Sequence, residues 1–327
     1  MYKESPKMGE TAITNTPYDD VFRTLLNDCS RLIIPVINEV FGEDYSGREK
    51  IVFSPNEHFM NQQDGNGSGR VTDTCFQIEG KKGKKYHLEC QSSPDDSMLV
   101  RFFEYDTQIA LDGGEVKDNI LTVRFPNSAV LYLRSRRSTP EYMKIKMETP
   151  GGSIIYDVQV MKTQGYGLEE IFKKKLLFLI PFYIFSHEGR FKEYEQDGRK
   201  LEQLKEEYNQ IKTRLEGQME KGEISEYMKC TIIDMSNKVL EHIARNYESV
   251  REGVKSVMGG RVLEYEAKTI REEGREEGRE EGREEGREEG IRGTVSVLKE
   301  LGIPVQTIRV KIQEKYNLNS ETCKKYL

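Results

Sequence analysis

The chain lacks the cysteine spacing, the long apolar runs and the excess of basic residues that would place it in several large functional classes. Its five cysteines, Cys29, Cys75, Cys90, Cys230 and Cys323, contain no Cys-x-x-Cys pair and are odd in number. Together with four separated histidines they offer neither a zinc spacing nor a disulfide framework, so reduced thiols are expected. The longest apolar run, Leu176 to Phe185, has ten residues and contains Pro181. A bilayer needs about 20 apolar residues, so this run reads as a buried helix. The N-terminal residues have no apolar core of the signal-peptide kind. A cytoplasmic protein with no membrane span is the expectation. The formal net charge is −6, and residues 271–290 alone carry five Arg and ten Glu. The rest of the chain is close to neutral, so any nucleic-acid binding has to come from local patches.

Periodicity organises what is present. A loose N-terminal tail covers 1–16. Val21, Phe22, Leu25 and Leu26 then line a helix capped by Asp19 or Asp20, and a second apolar helix, Leu32 to Phe41, stops at Gly42. Strands are expected over 51–60, 70–79 and 85–92, with the Asn61–Gly69 loop after the first and the Gly80–Lys84 turn between the last two. A helix over 97–111, strands over 129–134, 143–148 and 154–161, and a helical stretch over 168–185 complete a domain at 17–188. Over 189–270 the spacing of Leu201, Leu204, Tyr208, Ile211 and Leu215 predicts a coiled-coil-like seam. A return arm carries Met228, Ile232, Met235, Val239, Ile243 and Tyr247, which makes this segment a helical hairpin. Residues 291–327 form a small helical unit with Val297, Leu298, Leu301, Ile308 and Ile312 as candidate core.

The chemistry concentrates in one strand pair. Along it Phe76, Ile78, Tyr86, Leu88 and Cys90 form an apolar face, and Asp73, Gln77, Glu79, His87, Glu89 and Gln91 a polar one. A turn centred near residue 82 sets Asp73 opposite Gln91, with Glu89 one diagonal step away. Two carboxylates so placed suit a hard cation such as magnesium. The same pattern also describes the wet face of an ordinary hairpin, on which carboxylates are common.

Asp73 followed by Glu89-Cys90-Gln91 resembles the D…(D/E)-x-K signature of PD-(D/E)xK nucleases, with Gln in the Lys position. Arg101 and Tyr105 match an R-x-x-x-Y helix, and Asp20-Val-Phe-Arg23, preceded by Asp19, resembles a D-x-x-F-(K/R) opening, of the nuclease transposase group related to recombination-promoting nucleases. Phe125 to Leu133, Leu176 to Phe185 and the Leu298 to Pro304 segment after the Glu-Glu-Gly repeats also resemble stretches of that group.

The resemblance implies a restriction-endonuclease-like α/β fold, a mixed sheet flanked by helices. It also implies a Mg2+- or Mn2+-dependent DNA endonuclease acting in transposition or recombination. Asp73 and Glu89 would hold the metal, with the Cys90 backbone carbonyl as a further ligand, and Gln91 would orient the attacking water. Glutamine cannot supply the positive charge that lysine brings to this position. Glu39 reads as an extra acidic ligand or as a solvated helix residue. Arg101 reads as a phosphate contact or as the partner of a carboxylate across the sheet. Lys81, Lys82 and Lys84 read as phosphate grips or as a solvated tip, Tyr105 as an accessory packing residue, and His87 as a surface histidine. The rival expectation is an inactive nuclease-fold protein that binds or assembles, as a homo-oligomer, through its helical C-terminal half.

Residues 271–290 repeat Arg-Glu-Glu-Gly five times. Every i, i+4 pair is like with like, which disfavours a lone helix, and five glycines cost about 5 kcal/mol against alanine. The segment reads as a flexible linker, or as a helix formed only against a partner along its glycine stripe. A dilute peptide of residues 271–290 should therefore show little helix by circular dichroism. Strong helicity in the monomeric peptide would contradict this, and helix that grows with concentration would favour the glycine-stripe alternative.

Overall fold

A computed structural model describes residues 17–53, 75–79, 84–95, 97–259, 287–288, 290–316, 318, 320–323 and 325–326. The chain divides into two compact units, residues 1–267 and 268–327. The expected N-terminal tail, the 61–69 loop and most of the Arg-Glu-Glu-Gly repeat lie outside the described residues.

In the first unit α1 (Pro17–Asp28) and α2 (Ile34–Phe41) precede the sheet. The helix α2 ends where Gly42 takes a left-handed φ of 64° and its N–H bonds back to Asn38, a conformation glycine adopts without side-chain strain. Strands β1 (Ile51–Phe53), β2 (Cys75–Ile78) and β3 (Lys85–Gln91) form an antiparallel meander. The helix α3 (Met98–Asp112) follows, and a small hairpin, β4 (Glu115–Lys117) with β5 (Ile120–Thr122), stands apart as a second sheet. Sequence periodicity does not predict that hairpin. It turns on Asp118 and Asn119 at φ 51° and 63°, residue types that tolerate the left-handed region of a two-residue hairpin turn.

Strands β6 (Asn127–Tyr132), β7 (Tyr142–Thr149) and β8 (Gly152–Lys162) complete the main sheet, whose order is β1-β2-β3-β6-β8-β7. Both β6 and β8 run parallel to β3, and β7 closes the edge antiparallel to β8. This is a mixed α/β architecture with helices flanking a six-stranded sheet.

Parallel strands at the centre of a sheet are normally covered on both faces, and that holds here. One face, with Phe76, Tyr86, Leu88, Cys90, Leu131 and Met161, joins the main core with α1, α2 and the apolar segment Leu177–Ser186. The other face, with Val130, Tyr132, Val158 and Val160, packs under Met98 and Phe102 of α3. Segment Leu177–Ser186 is buried as expected but winds as 3₁₀ turns. Pro181 lies inside it and lacks the N–H that α-helical bonding requires.

The helices α4 (Leu168–Lys173), α5 (Phe191–Gln196), α6 (Gly198–Glu220), α7 (Glu226–Ile243) and α8 (Glu248–Met258) complete this unit. The seam residues Leu204, Tyr208, Ile211 and Leu215 of α6 and Ile232, Met235 and Val239 of α7 belong to the same buried cluster as the sheet. Tyr18 of α1 makes an edge-to-face contact with His242 of α7, centroids 5.2 Å apart. Four helices, α5 to α8, thus stand where the spacing predicts a two-armed hairpin, and α6 and α7 share one core with the sheet.

In the second unit Ile291, Val295, Ile308, Ile312 and Cys323 are buried together, around the helices Val305–Tyr316 and Ser320–Cys323. Val297 and Leu301, expected in that core, are exposed at 55% and 70%. Val297 lies two residues past Val295, on another side of the helix they share, and Leu301 lies in the turn that follows it. No helix among the described residues is long and apolar enough to cross a membrane.

Because α7 shares its core with the sheet, Ile232→Ala should cost about 2–5 kcal/mol, as large-to-small core changes do. Urea unfolding of the first unit should remain one transition. A separate early transition for the helical part would contradict the shared core.

Candidate functional site

Strand β3 alternates as expected, but its polar face is not wet. His87 is fully buried and Glu89 is 1% exposed, because α3 lies over that face. The helix places Met98, Phe102, Tyr105, Asp106 and Ile109 on one buried side, the three- and four-residue spacing of an amphipathic helix. Asp106 is an acid set among these apolar residues, and it is completely buried.

A burial this deep requires partners for every charge. His87 Nδ1 lies 2.7 Å from Asp106 Oδ1, and His87 Nε2 lies 3.2 Å from Glu89 Oε1. Arg101 Nη2 donates to Glu89 Oε2 at 3.0 Å. Ser128 Oγ donates to Asp106 Oδ1 at 2.7 Å, and Tyr156 Oη donates to Asp106 Oδ2 at 3.2 Å. The imidazole is enclosed by the Phe102 and Tyr105 rings, with centroids at 5.1 and 5.9 Å.

Both ring nitrogens of His87 face carboxylates, and only the imidazolium can donate from both. Burial pulls the His87 pKa down, but hydrogen bonds to Asp106 and Glu89, with the charge of both, outweigh it and raise the value to about 9. Among the described residues two cations, His87 and Arg101, thus face two carboxylates, Glu89 and Asp106. His87 is not a surface histidine, and for Arg101 the carboxylate-pairing alternative is the one realised.

The other sequence-derived candidates disperse. The pairing of β2 with β3 sets Cys75 opposite His87, two residues away from the register expected of a turn near 82. Asp73, Lys81 and Lys82 lie outside the described residues. Gln91 is half-buried at the C-terminal end of β3. Cys90 points to the opposite face, into the main core, and sits in register with Leu131. Glu39 accepts from Tyr166 Oη at 3.1 Å and pairs with Lys174 at 2.7 Å, so it is neither at this cluster nor simply solvated. Lys84 pairs with Glu43. Tyr105 is buried, as its packing role requires.

Comparison with family models, curated proteins and solved structures gives no match. Weight therefore falls on the geometry. The described residues supply one carboxylate, Glu89, from the ligand pair expected on the hairpin, and it is committed to Arg101 and His87. Among the described residues no group of three or more His, Cys, Asp or Glu is placed to hold a metal ion. As they stand, these residues do not fit a divalent cation without Arg101 giving up Glu89.

Asp106, Ser128 and Tyr156 escape a reading of the sequence. Only Asp106 leaves a signal, as an acid between Phe102 and Ile109 on an otherwise apolar stripe.

Two measurements test this cluster. The imidazole of His87 should titrate near pH 9 by NMR, and a midpoint at or below about 6.5 would contradict the doubly bonded ring. Its folded pKa stands above the unfolded value of about 6.5. The stability it contributes is thus complete below about pH 6.5 and is lost as pH rises through about 9. Glu89→Ala, which on a wet face would cost only about 0.5 kcal/mol, should here cost about 3 kcal/mol in chemical denaturation, because it strands the buried His87 imidazolium and removes the partner of the half-buried Arg101.

Proposed function

We propose that the chain is a metal-dependent DNA endonuclease of the PD-(D/E)xK transposase type, with a restriction-endonuclease-like core, acting in transposition or recombination. The observation that carries this reading is the meeting of two motif fragments. Glu89, from the Glu-Cys-Gln fragment, and Arg101, from the Arg-x-x-x-Tyr fragment, are 3.0 Å apart, and Tyr105 of the second fragment packs on the strand of the first. A mixed sheet flanked by helices is in keeping with the same reading.

Within it the chain's own groups have distinct tasks. Gln91, half-buried at the end of β3, hydrogen-bonds and orients a water beside the phosphodiester. Arg101 offers its guanidinium to the phosphate, since five N–H donors in a fixed fork suit phosphate oxygens as well as a carboxylate. His87 and Asp106 hold Glu89 in place once Arg101 turns away. The cofactor would be Mg2+ or Mn2+, which Asp73 and Glu89 would hold once Arg101 releases Glu89, and which would supply charge to polarise a water and the phosphate. The setting is cytoplasmic.

One observation favours a second reading. Glu89 is neutralised by Arg101 and His87, and Gln91 brings no charge of its own. An inactive nuclease-fold protein, binding or assembling as a homo-oligomer through its helical C-terminal half, would be built this way.

Cleavage of supercoiled plasmid separates the two. Purified full-length chain should nick DNA with Mg2+ or Mn2+ and not with EDTA. Asp73→Asn should lose at least about 100-fold, since a catalytic metal is worth several kcal/mol in the transition state. Gln91→Lys should retain or raise the rate, because an ammonium orients water and also offsets phosphate charge. A well-folded chain that cuts neither single- nor double-stranded DNA leaves the assembly reading. Cleavage that is unchanged in Asp73→Asn would remove Asp73 from the site.

A further inference from the structure

The strands β3, β6 and β8 are parallel, so their C-terminal ends share one edge of the sheet. Ligands of open α/β sheets collect outside that edge. Gln91 ends β3 there, and the segment that leaves β6 is tied beside it. Leu133 N donates to Gln91 O at 2.9 Å, and Arg134 N donates to Ser92 O at 3.0 Å.

Beyond Ser135 the chain enters a tightly held turn, residues 136–139. Thr139 N donates to Arg136 O at 3.0 Å, and Arg136 N donates to Thr139 Oγ1 at 2.9 Å. Thr139 is buried beneath it. Ser135 N donates to Gln164 Oε1 at 2.9 Å, and the Gln164 amide donates in turn to Phe185 O at 2.8 Å. The backbone is fixed from both sides, so the side chains it presents are fixed at their roots.

Those side chains are Arg136 and Arg137, both exposed. Neighbouring cations are occupied: Arg134 forms a two-pronged pair with Glu188, and Lys162 pairs with Glu141. Arg136 and Arg137 form no ion pair with any described residue. Two adjacent exposed guanidiniums without carboxylates, on a fixed turn, concentrate positive charge at one point of the surface. From Arg134 to Arg136 is two residues, at most about 7 Å of chain, which keeps the pair next to the Gln91 end of β3.

We propose that the Arg136–Arg137 turn binds the phosphodiester backbone of the DNA strand that enters at the Gln91 end of β3. This rests on the nuclease reading and adds to it the place where the substrate is gripped. Guanidinium forks match phosphate oxygens two at a time. Rigid roots reduce the side-chain entropy lost on binding. The contact is with backbone only, so it carries no base specificity.

The test is binding of full-length protein to a fluorescent duplex and to a single strand, read by anisotropy over a series of KCl concentrations. EDTA, or Ca2+ in place of Mg2+, prevents cleavage from intruding. Arg136→Gln with Arg137→Gln should weaken binding about tenfold or more near 0.1 M salt. It should also reduce the slope of log K against log salt by about 1–2, one counterion per phosphate lost. The loss should be equal across sequences, and Arg136→Lys with Arg137→Lys should recover much of it. Unfolding midpoints should match wild type, since both positions are exposed. Wild-type binding or cleavage with an unaltered affinity and slope in the glutamine variant overturns this proposal and leaves the nuclease reading in place. A wild-type chain that neither binds nor cuts DNA overturns both.

Discussion

The ion-pair chain Asp106–His87–Glu89–Arg101 is the constraint that the sheet and α3 have to satisfy together. Each of its members alone would carry a desolvation cost of several kcal/mol in a buried position. Here two carboxylates face two cations, and Ser128 and Tyr156 each donate a further hydrogen bond to Asp106. Such a network is strong only when every member is present. It therefore fixes more than local geometry. Asp106 comes from α3, His87 and Glu89 from β3, Ser128 from β6 and Tyr156 from β8, so the parallel register of three strands and the seating of one helix are all set by the same set of bonds.

That economy has a functional consequence. If Glu89 is the catalytic carboxylate, it does double duty as a structural anion. Its environment is shaped as much by the need to neutralise it as by any need to expose it. His87 and Asp106 lie on the protein side, and Arg101, 21% exposed at its side chain, lies toward solvent. Only Arg101 can leave without uncovering a buried cation. A phosphate that attracts Arg101 would release one face of Glu89 and leave the other held. The exposed Arg136–Arg137 turn and the half-buried Gln91 sit at the strand ends, where such a phosphate would arrive.

The period-two alternation of β3 places Tyr86, Leu88 and Cys90 in one core, as observed, because a strand admits only two faces. It cannot say that the second face is covered, since alternation looks the same whether water or a helix lies above it. The helix that covers it is visible as an element, yet its polar contribution is not: spacing leaves Arg101 between two roles and gives Asp106 none. Ser128 and Tyr156 are out of reach altogether, because they meet Asp106 through the parallel register of β6 and β8, and parallel pairing leaves no short-range trace in a sequence. The β2–β3 register differs from expectation by two residues for a related reason: turn length sets register, and the centre of a lysine-glycine turn is not marked by composition. Within the helical half the seam of α6 is legible from its spacing, but spacing alone does not tell a free-standing hairpin from one whose inner side, at Ile232 and Val239, completes the core of the sheet. In the second unit Ile308 and Ile312 are buried as their four-residue step suggests, whereas Val297 and Leu301 share the same step and are exposed.

Glu89 and the half-buried Arg101 have to act as one charge-coupled unit, and a double-mutant cycle measures that directly. Glu89→Gln, Arg101→Met and the double variant would each be unfolded in urea at neutral pH. If the pair is coupled as the geometry requires, the double variant is more stable than the sum of the single losses by about 1.5 kcal/mol or more, within the range found for contacting residues of one network. Additivity to within about 0.5 kcal/mol, the behaviour of distant sites, would show that Arg101 does not neutralise Glu89 and would contradict the coupling.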